Sequence, residues 1–382
     1  MKIVIAPDSF KECLPAYAVG ESIKKGFLTQ MPEADIEVFP MADGGEGTLE
    51  SLIYATKGKK VEMETSDPLG NHITTHYGIL GDNKTVVIEM AQVAGLQIVT
   101  DKNINKASTF GVGELIKDAI DKGHRKFIIG LGGSATNDGG AGMLHALGGK
   151  FFDAEGEQVP VGGGYVKQIA TVDLSEIHPL IYDCEIIIAS DVENELCGPH
   201  GATYVFGPQK GAKEEELAEL DKGIHHYANL IENASGKKLQ KIPGAGAAGG
   251  LGFGLLVLGA EIRSGARIVA EAMNLEKCLQ TADWVITGEG KSDSQSLYGK
   301  VPVYVASIAK KYRAKTILLS GALGKDYQQL YDYFTSCHSI TRGPISLVDS
   351  MKNAEKLLYD SAYNIARLIS LSPKNDINKG RL

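Results

Sequence analysis

The feature that most narrows the fold is a repeated junction. A short apolar run stops at a loop rich in glycine or aspartate, and sequence with helical spacing follows. Ile3-Val4-Ile5-Ala6 stops at Pro7-Asp8-Ser9-Phe10-Lys11, and a helix is predicted over 16–30 because Val19, Ile23 and Phe27 recur four apart. A second strand, predicted over 36–40, stops at Met41-Ala42-Asp43-Gly44-Gly45-Glu46-Gly47, and the helix after it turns Leu49, Leu52 and Ile53 inward. This strand–helix alternation is the mark of a parallel sheet covered by helices. Glycine makes up 46 of 382 residues, well above the usual ~7%, and it gathers at these junctions, where a chain bends sharply or approaches a ligand.

Between 61 and 96 the texture changes. Alternating segments at 72–80 and 85–90, joined by Gly81-Asp82-Asn83-Lys84, read as antiparallel hairpins. Helix and strand units return at 111–122, 126–131 and 138–147, with a buried strand at 185–190 and a charged helix near 213–233 that reads as solvent-exposed. The last third is α/β again: strand 284–287, helix 302–312, strand 316–320 and a closing helix at 351–371. The expectation is a discontinuous Rossmann-like α/β domain, residues 1–65 and 266–382, interrupted by a mixed α/β domain with antiparallel hairpins at 66–265. A chain of 382 residues exceeds one comfortable core, which agrees with two domains. The polar tail at 372–382 is expected to fray.

Charge and cysteine usage exclude several function classes. A net charge of −8 with no long Lys/Arg run argues against nucleic-acid binding, although a pocket can still be locally positive. No apolar run approaches the ~20 residues of a membrane span, and the apolar start is too short for a secretory leader. Cys13, Cys184, Cys197, Cys278 and Cys337 form no C-x-x-C pair, so a disulfide framework or structural zinc is not expected and a reducing cytoplasm fits.

Four segments at strand ends carry candidate chemistry. Asp8-Ser9-Phe10-Lys11 can hold Mg²⁺ or a carboxylate, or simply cap a helix. Asp43-Gly44-Gly45-Glu46-Gly47-Thr48 brings bare N–H groups to a helix start, suited to an anion; its acids suit a cation or hydroxyl, and the bland alternative is a tight turn. Gly130-Leu131-Gly132-Gly133-Ser134-Ala135-Thr136-Asn137-Asp138-Gly139-Gly140 lies between a strand and a helix, the geometry that cradles phosphates, and a purely structural turn rarely needs five glycines. Thr287-Gly288-Glu289-Gly290-Lys291-Ser292-Asp293 looks like the end of a Walker A loop but has Val285 where that motif needs glycine; Lys291 remains a phosphate candidate.

Further stretches are less decisive. Asp191 ends a predicted buried strand, where it can be a general base, a metal ligand or a turn cap. Phe206-Gly207-Pro208-Gln209-Lys210-Gly211 reads as a rigid loop with one cation. Gly244-Ala245-Gly246-Ala247-Ala248-Gly249-Gly250 has the texture of a loop that could wrap a nucleotide. Arg267 suits a carboxylate through its fork, with a surface ion pair as the competing reading. His225-His226 reads as solvated, and no zinc-hydrolase or G-x-S-x-G pattern occurs.

Taken in order, the segments 6–11, 42–48, 67–70, 132–144, 189–192, 196–202, 205–212, 243–252 and 283–301 resemble the bacterial glycerate kinase family, type I. Two departures are visible: Lys11-Glu12-Cys13-Leu14 where the family usually has Lys-Gly-Ser-Leu, and Asn194-Glu195-Leu196-Cys197 where it often has Asn-Pro-Leu-Cys. Both adjoin candidate ligand residues without replacing them. The resemblance implies a two-domain α/β kinase with its active site in the interdomain cleft, taking D-glycerate and ATP with Mg²⁺ and releasing ADP and a phosphoglycerate.

On that footing the phosphates are expected at Gly132, Gly133 and Ser134, with Thr136 and Asn137 as further donors and Lys291 as counter-charge. Asp8 and Asp191 are the metal-or-base candidates, with Asp191 taking the hydroxyl proton. Lys11 and Arg267 would hold the glycerate carboxylate, beside Ser9, Phe10 and a pocket shaped by Asp43, Gly44, Gly45, Glu46 and Gly47. The expected partners are these small molecules, in the cytoplasm, with no nucleic acid or membrane and with a homodimer as the open option. Two other readings compete: a non-catalytic organic-acid sensor, and an NAD(P)-dependent oxidoreductase. The latter rests on loose fingerprints at Gly130-x-Gly132-x-x-Ala135 and Gly244-x-Gly246-x-x-Gly249 that lack a clear acidic partner ~20 residues on.

Overall fold

A computed structural model describes residues 1–297 and 299–371; the tail expected to fray lies outside them. The chain divides into two compact units, Met1–Met41 with Asn274–Leu382, and Ala42–Met273. The first division falls at 41 rather than near 65 because helix Thr48–Thr56 packs on strands His72–Ile79 and Thr85–Glu89 and on helix Gly265–Ala272. The Leu49 N–H also donates to the buried Glu89 carboxylate at 3.0 Å, tying that helix to the larger unit.

The smaller unit is a five-stranded sheet, all parallel, in the order Ser336–Ser339, Lys315–Ser320, Trp284–Thr287, Lys2–Ile5, Asp35–Val38. Continuous apolar strands such as Ile3-Val4-Ile5 are wholly buried, as a sheet covered on both faces requires. Helix Ala16–Gln30 buries Val19, Ile23 and Phe27, the residues spaced four apart, against helix Ala354–Leu371. The two helices approach closely at Gly26, where any Cβ would stand 2.5 Å from the Tyr359 carbonyl oxygen.

The larger unit holds a six-stranded sheet in the order Glu261–Arg263, Glu185–Ala189, Lys126–Gly130, Thr85–Glu89, His72–Ile79, Lys59–Ser66. The first four strands are parallel and the last two pair antiparallel, so the hairpin texture of the sequence becomes one edge of a mixed sheet. Helix Glu214–Ser235 is not the solvent-exposed rod its charges suggested: Leu217, Leu220, Ile224, Tyr227 and Ile231 form a buried face. His225 and His226 lie on its exposed side. The 244–250 segment also differs from expectation. Gly249 and Gly250 are buried against the backbone of Thr136 and Gly139, so these glycines serve close packing and present no surface to a nucleotide.

Candidate active site

In parallel sheets ligand groups collect beyond the carboxyl ends of the strands, and each unit places candidate residues there. In the larger unit the Asp43–Gly47 segment runs across the ends of strands Lys126–Gly130 and Glu185–Ala189. A Cβ on Gly44 would stand 2.3 Å from the Ala189 carbonyl oxygen, one on Gly132 2.3 Å from the Gly45 Cα, and one on Gly265 2.2 Å from the Asp43 carbonyl carbon. Gly44 also has φ +92°, a conformation that side chains resist. The Gly44 N–H donates to the Thr48 hydroxyl at 3.1 Å and the Gly45 N–H to Asp43 Oδ1 at 3.0 Å. Glu46 points outward and is exposed, and Gly47, with φ +89°, starts helix Thr48–Thr56.

Asp191 lies just beyond strand Glu185–Ala189. Burial pushes its carboxyl up to about 6; the Ser264 hydroxyl and the N–H groups of Ala266 and Gly265 donate to it and pull the other way, while negative charge on Asp43 adds to the rise. Its Oδ2 is buried without a hydrogen-bond partner in the structure. A half-desolvated carboxylate with one idle oxygen suits a proton acceptor or a cation ligand. Ser264 caps helix Gly265–Ala272, its oxygen accepting the Arg267 N–H at 3.4 Å. Arg267 stands exposed on the first turn of that helix, and its Nε donates to Glu271 Oε1 at 2.7 Å.

The glycine loop after strand Lys126–Gly130 has an outer and an inner part. Gly132 is half-buried and Gly133 exposed, the latter with φ +75°. From Ser134 the chain turns inward, and Ser134, Thr136, Asn137 and Asp138 are all buried. Thr136 and Asn137, expected to offer side chains to phosphates, are 0% exposed: the Asn137 amide donates to the Thr203 hydroxyl at 3.0 Å, and Thr136 Oγ1 is buried without a partner in the structure. The loop is held from within by Lys210. Its Nζ donates to Ser134 Oγ and to the Thr136 carbonyl, each at 2.7 Å. A separate cavity of about 620 Å³ opens between Asp67-Pro68-Leu69-Gly70, Phe110 and His145, and none of the candidate ligand residues lines it.

In the smaller unit, Asp8, Ser9 and Phe10 are buried beyond strand Lys2–Ile5, and Lys11 is exposed. Asp8 Oδ1 accepts the Ser9 N–H at 2.7 Å, and Ser9 Oγ is buried without a partner in the structure. The 288–292 loop follows the adjacent strand, Trp284–Thr287. Its Glu289 is buried, with Oε1 accepting from the Ser292 hydroxyl at 3.0 Å and the Ser296 hydroxyl at 2.5 Å, and Oε2 from Lys300 Nζ at 3.0 Å. Lys291 is exposed, 3.8 Å from Asp293. Among the described residues no three His, Cys, Asp or Glu side chains gather as a metal cage. Mg²⁺ seldom needs one, since it commonly takes one or two carboxylates together with substrate phosphates; a buried aspartate beside a glycine loop fits that donor set.

Sequence reasoning assigned no site role of their own to Ser264, Lys210, Glu289 and Lys300, which the structure places beside candidate residues. Ser264 directly before Gly-Ala-Arg is a legible helix cap, and Glu289 between two glycines is a legible loop acid. Ser264 and Lys210 find Asp191 and the glycine loop far away in sequence, whereas the partners of Glu289 lie within 11 residues of it.

The fold is α/β, with its candidate residues at the carboxyl ends of parallel strands. The glycerate kinase family matches residues 3–370. The chain is 44% identical to a glycerate kinase of Bacillus subtilis (97% of this chain, 98% of the relative) and 44% identical to a glycerate 2-kinase of Escherichia coli (98% and 100%). A crystal structure of a protein designated glycerate kinase 2 from Salmonella typhimurium LT2 matches with a TM-score of 0.85 at 43% identity, over 97% of this chain and 98% of that one. The chain belongs to the glycerate kinase family and is a kinase. No helix among the described residues is long and apolar enough to cross a membrane.

Proposed function

We propose that this kinase transfers the terminal phosphoryl group of ATP to a hydroxyl of D-glycerate, with Asp191 as the general base. The observation that carries the role is the idle, buried Oδ2 of Asp191, on a carboxyl pushed up to about 6, at the end of a parallel strand. A carboxylate with that affinity is ionised at neutral pH, yet accepts a proton more readily than an ordinary aspartate. The new O–P bond forms from the glycerate oxygen as its proton passes to Asp191, and the bond from the γ-phosphorus to the bridging oxygen breaks to leave ADP.

The phosphates are assigned to the outer part of the glycine loop, Gly132 and Gly133 with the backbone at Ser134. Thr136 and Asn137, being buried, support its shape. In the smaller unit Asp8 would hold Mg²⁺, which neutralises charge on the transferring group when bound, and Lys291 supplies a further counter-charge. Lys11 and Arg267 are the cations we assign to the glycerate carboxylate, with Ser9, Phe10 and the Asp43–Gly47 segment as further substrate contacts. We assign the enzyme to the cytoplasm, where ATP and small hydroxy acids are at hand.

An ADP-release assay with D-glycerate, L-glycerate and other small hydroxy acids, followed by phosphorus NMR of the product, tests the reading. ADP formation dependent on D-glycerate with one new phosphomonoester signal is expected. Glycerate binding without ATP consumption would favour a sensor, and an absorbance change with NAD(P)H an oxidoreductase.

A further inference from the structure

Lys210 belongs to the short loop after helix Ala202–Phe206, and at 1% exposure it is among the largest fully buried side chains of the protein. A lysine seldom stays so deep without specific partners, since desolvating an ammonium is costly. Here the partners come from one place. Its two acceptors, Ser134 Oγ and the Thr136 carbonyl, belong to the glycine loop 76 and 74 residues earlier in the chain. The Asp138 carboxylate, also wholly buried, faces the ammonium electrostatically and is itself held by the N–H groups of Thr109, Gly140 and Gly142 and by the Thr109 hydroxyl. The lysine loop is pinned in turn: Gly211 has φ +98° and the Lys210 N–H donates to the Gly207 carbonyl at 3.0 Å.

We infer that Lys210 is a positioning residue for phosphate binding: its ammonium grips the glycine loop from the protein side, fixing the turn at Ser134 that aims the exposed backbone of Gly132 and Gly133 outward. The clamp spans the point where the loop changes from exposed to buried, Gly133 being exposed and Ser134 only 7% exposed. Two donated bonds on either side of Ala135 set the local path of the chain more tightly than a single contact would. Burial pulls the Lys210 ammonium down to about 7, with the Asp138 charge opposing, and its charged form beneath the loop also favours an anion above it. Lys210 touches no substrate in this arrangement and acts through the loop. The inference rests on the reading that this loop takes the phosphates of ATP.

The test compares Lys210→Met and Lys210→Gln, which keep much of the side-chain volume, with Gly133→Asp, which puts an anion at the exposed tip of the loop. Steady-state kinetics are run with each substrate varied, and folding is followed by thermal unfolding. For the lysine variants the KM for ATP should rise at least ~10-fold while the KM for glycerate stays within ~2-fold. If Gly133→Asp raises the ATP KM and the lysine variants do not, the positioning role is overturned while the phosphate reading stands. If Gly133→Asp folds and leaves the ATP KM unchanged, the phosphate reading fails and takes the inference with it. Equal rises in both KM values, or loss of cooperative unfolding in both lysine variants, would make Lys210 a general core residue and overturn the proposal as well.

Discussion

Activity should be lost as pH falls through about 6, and the group responsible should be Asp191. The sign follows from the role: the base is the carboxylate, burial raises its proton affinity, and protonation silences it. With a pKa of about 6, roughly nine-tenths of the enzyme is competent at pH 7 and about one-tenth at pH 5, so kcat should drop about tenfold between them. An ordinary aspartate would stay more than ~90% ionised at pH 5 and show almost no fall over that range. The Ser264 hydroxyl is the largest of the hydrogen-bonding influences that hold the value down, so Ser264→Ala should move the acid limb of the kcat profile to higher pH. The same change removes a helix cap and should cost about 1 kcal/mol of stability. The assay is coupled ADP release from pH 4.5 to 8 at saturating substrates, with unfolding monitored separately at each pH. An acid limb in the ordinary carboxylate range, or one that Ser264→Ala shifts downward, refutes the assignment.

Asp191→Asn should lower kcat by ~10²-fold or more with little change in melting temperature, measured by the same assay. Arg267→Ala should raise the KM for glycerate far more than that for ATP, and equal changes would leave it the surface ion pair with Glu271. Gly44→Ala forces a Cβ to within 2.3 Å of the Ala189 carbonyl at φ +92°; strain alone costs about 1–2 kcal/mol, and both melting temperature and kcat should fall. Glu289→Ala strips the acceptor from Ser292, Ser296 and Lys300 and should destabilise the chain by about 1–3 kcal/mol in urea titration. Phe27→Ala, at the buried contact of two long helices, should cost about 3–5 kcal/mol without altering the KM of either substrate.

Local pattern carried most of the architecture. Val19, Ile23 and Phe27 announce a helix because one face meets the core every fourth residue, and helix Ala16–Gln30 occupies the range that spacing predicts. The hairpins near 72–90 were legible from alternation and a turn, whereas their union with four parallel strands depends on pairings such as Lys126–Glu185 that no local window contains. Helix Glu214–Ser235 misled because its charges outnumber the apolar residues of the buried face, yet it is the periodicity that decides. The strand-end loops could be found as candidate sites, but their inward and outward parts could not be told apart. Thr136 and Asn137 look like ligands by type, and only the fold shows them facing Thr203 and the core. Lys210 is the reverse case, a cation in a modest Gly-Pro-Gln-Lys-Gly run whose purpose lies in acceptors more than 70 residues away.

The glycines of the larger unit carry one more consequence for catalysis. Gly44, Gly132 and Gly265 are often the sort of residues credited with flexibility, but here each sits where backbone meets backbone at a distance that excludes a Cβ. The contact of Gly265 with Asp43 brings the N-terminus of helix Gly265–Ala272 against the Asp43–Gly47 segment, and Gly44 seats that segment on the end of strand Glu185–Ala189. Asp43 is thereby kept near enough to Asp191 for its charge to raise the carboxyl, while Ser264 and the first N–H groups of the helix moderate the rise. Burial is the first influence on the proton affinity of the proposed base, and the close packing of these glycines fixes where Ser264 opposes it and Asp43 adds to it. A side chain added at any of these three glycines should therefore act on kcat through Asp191 even though none of them bears a titratable group.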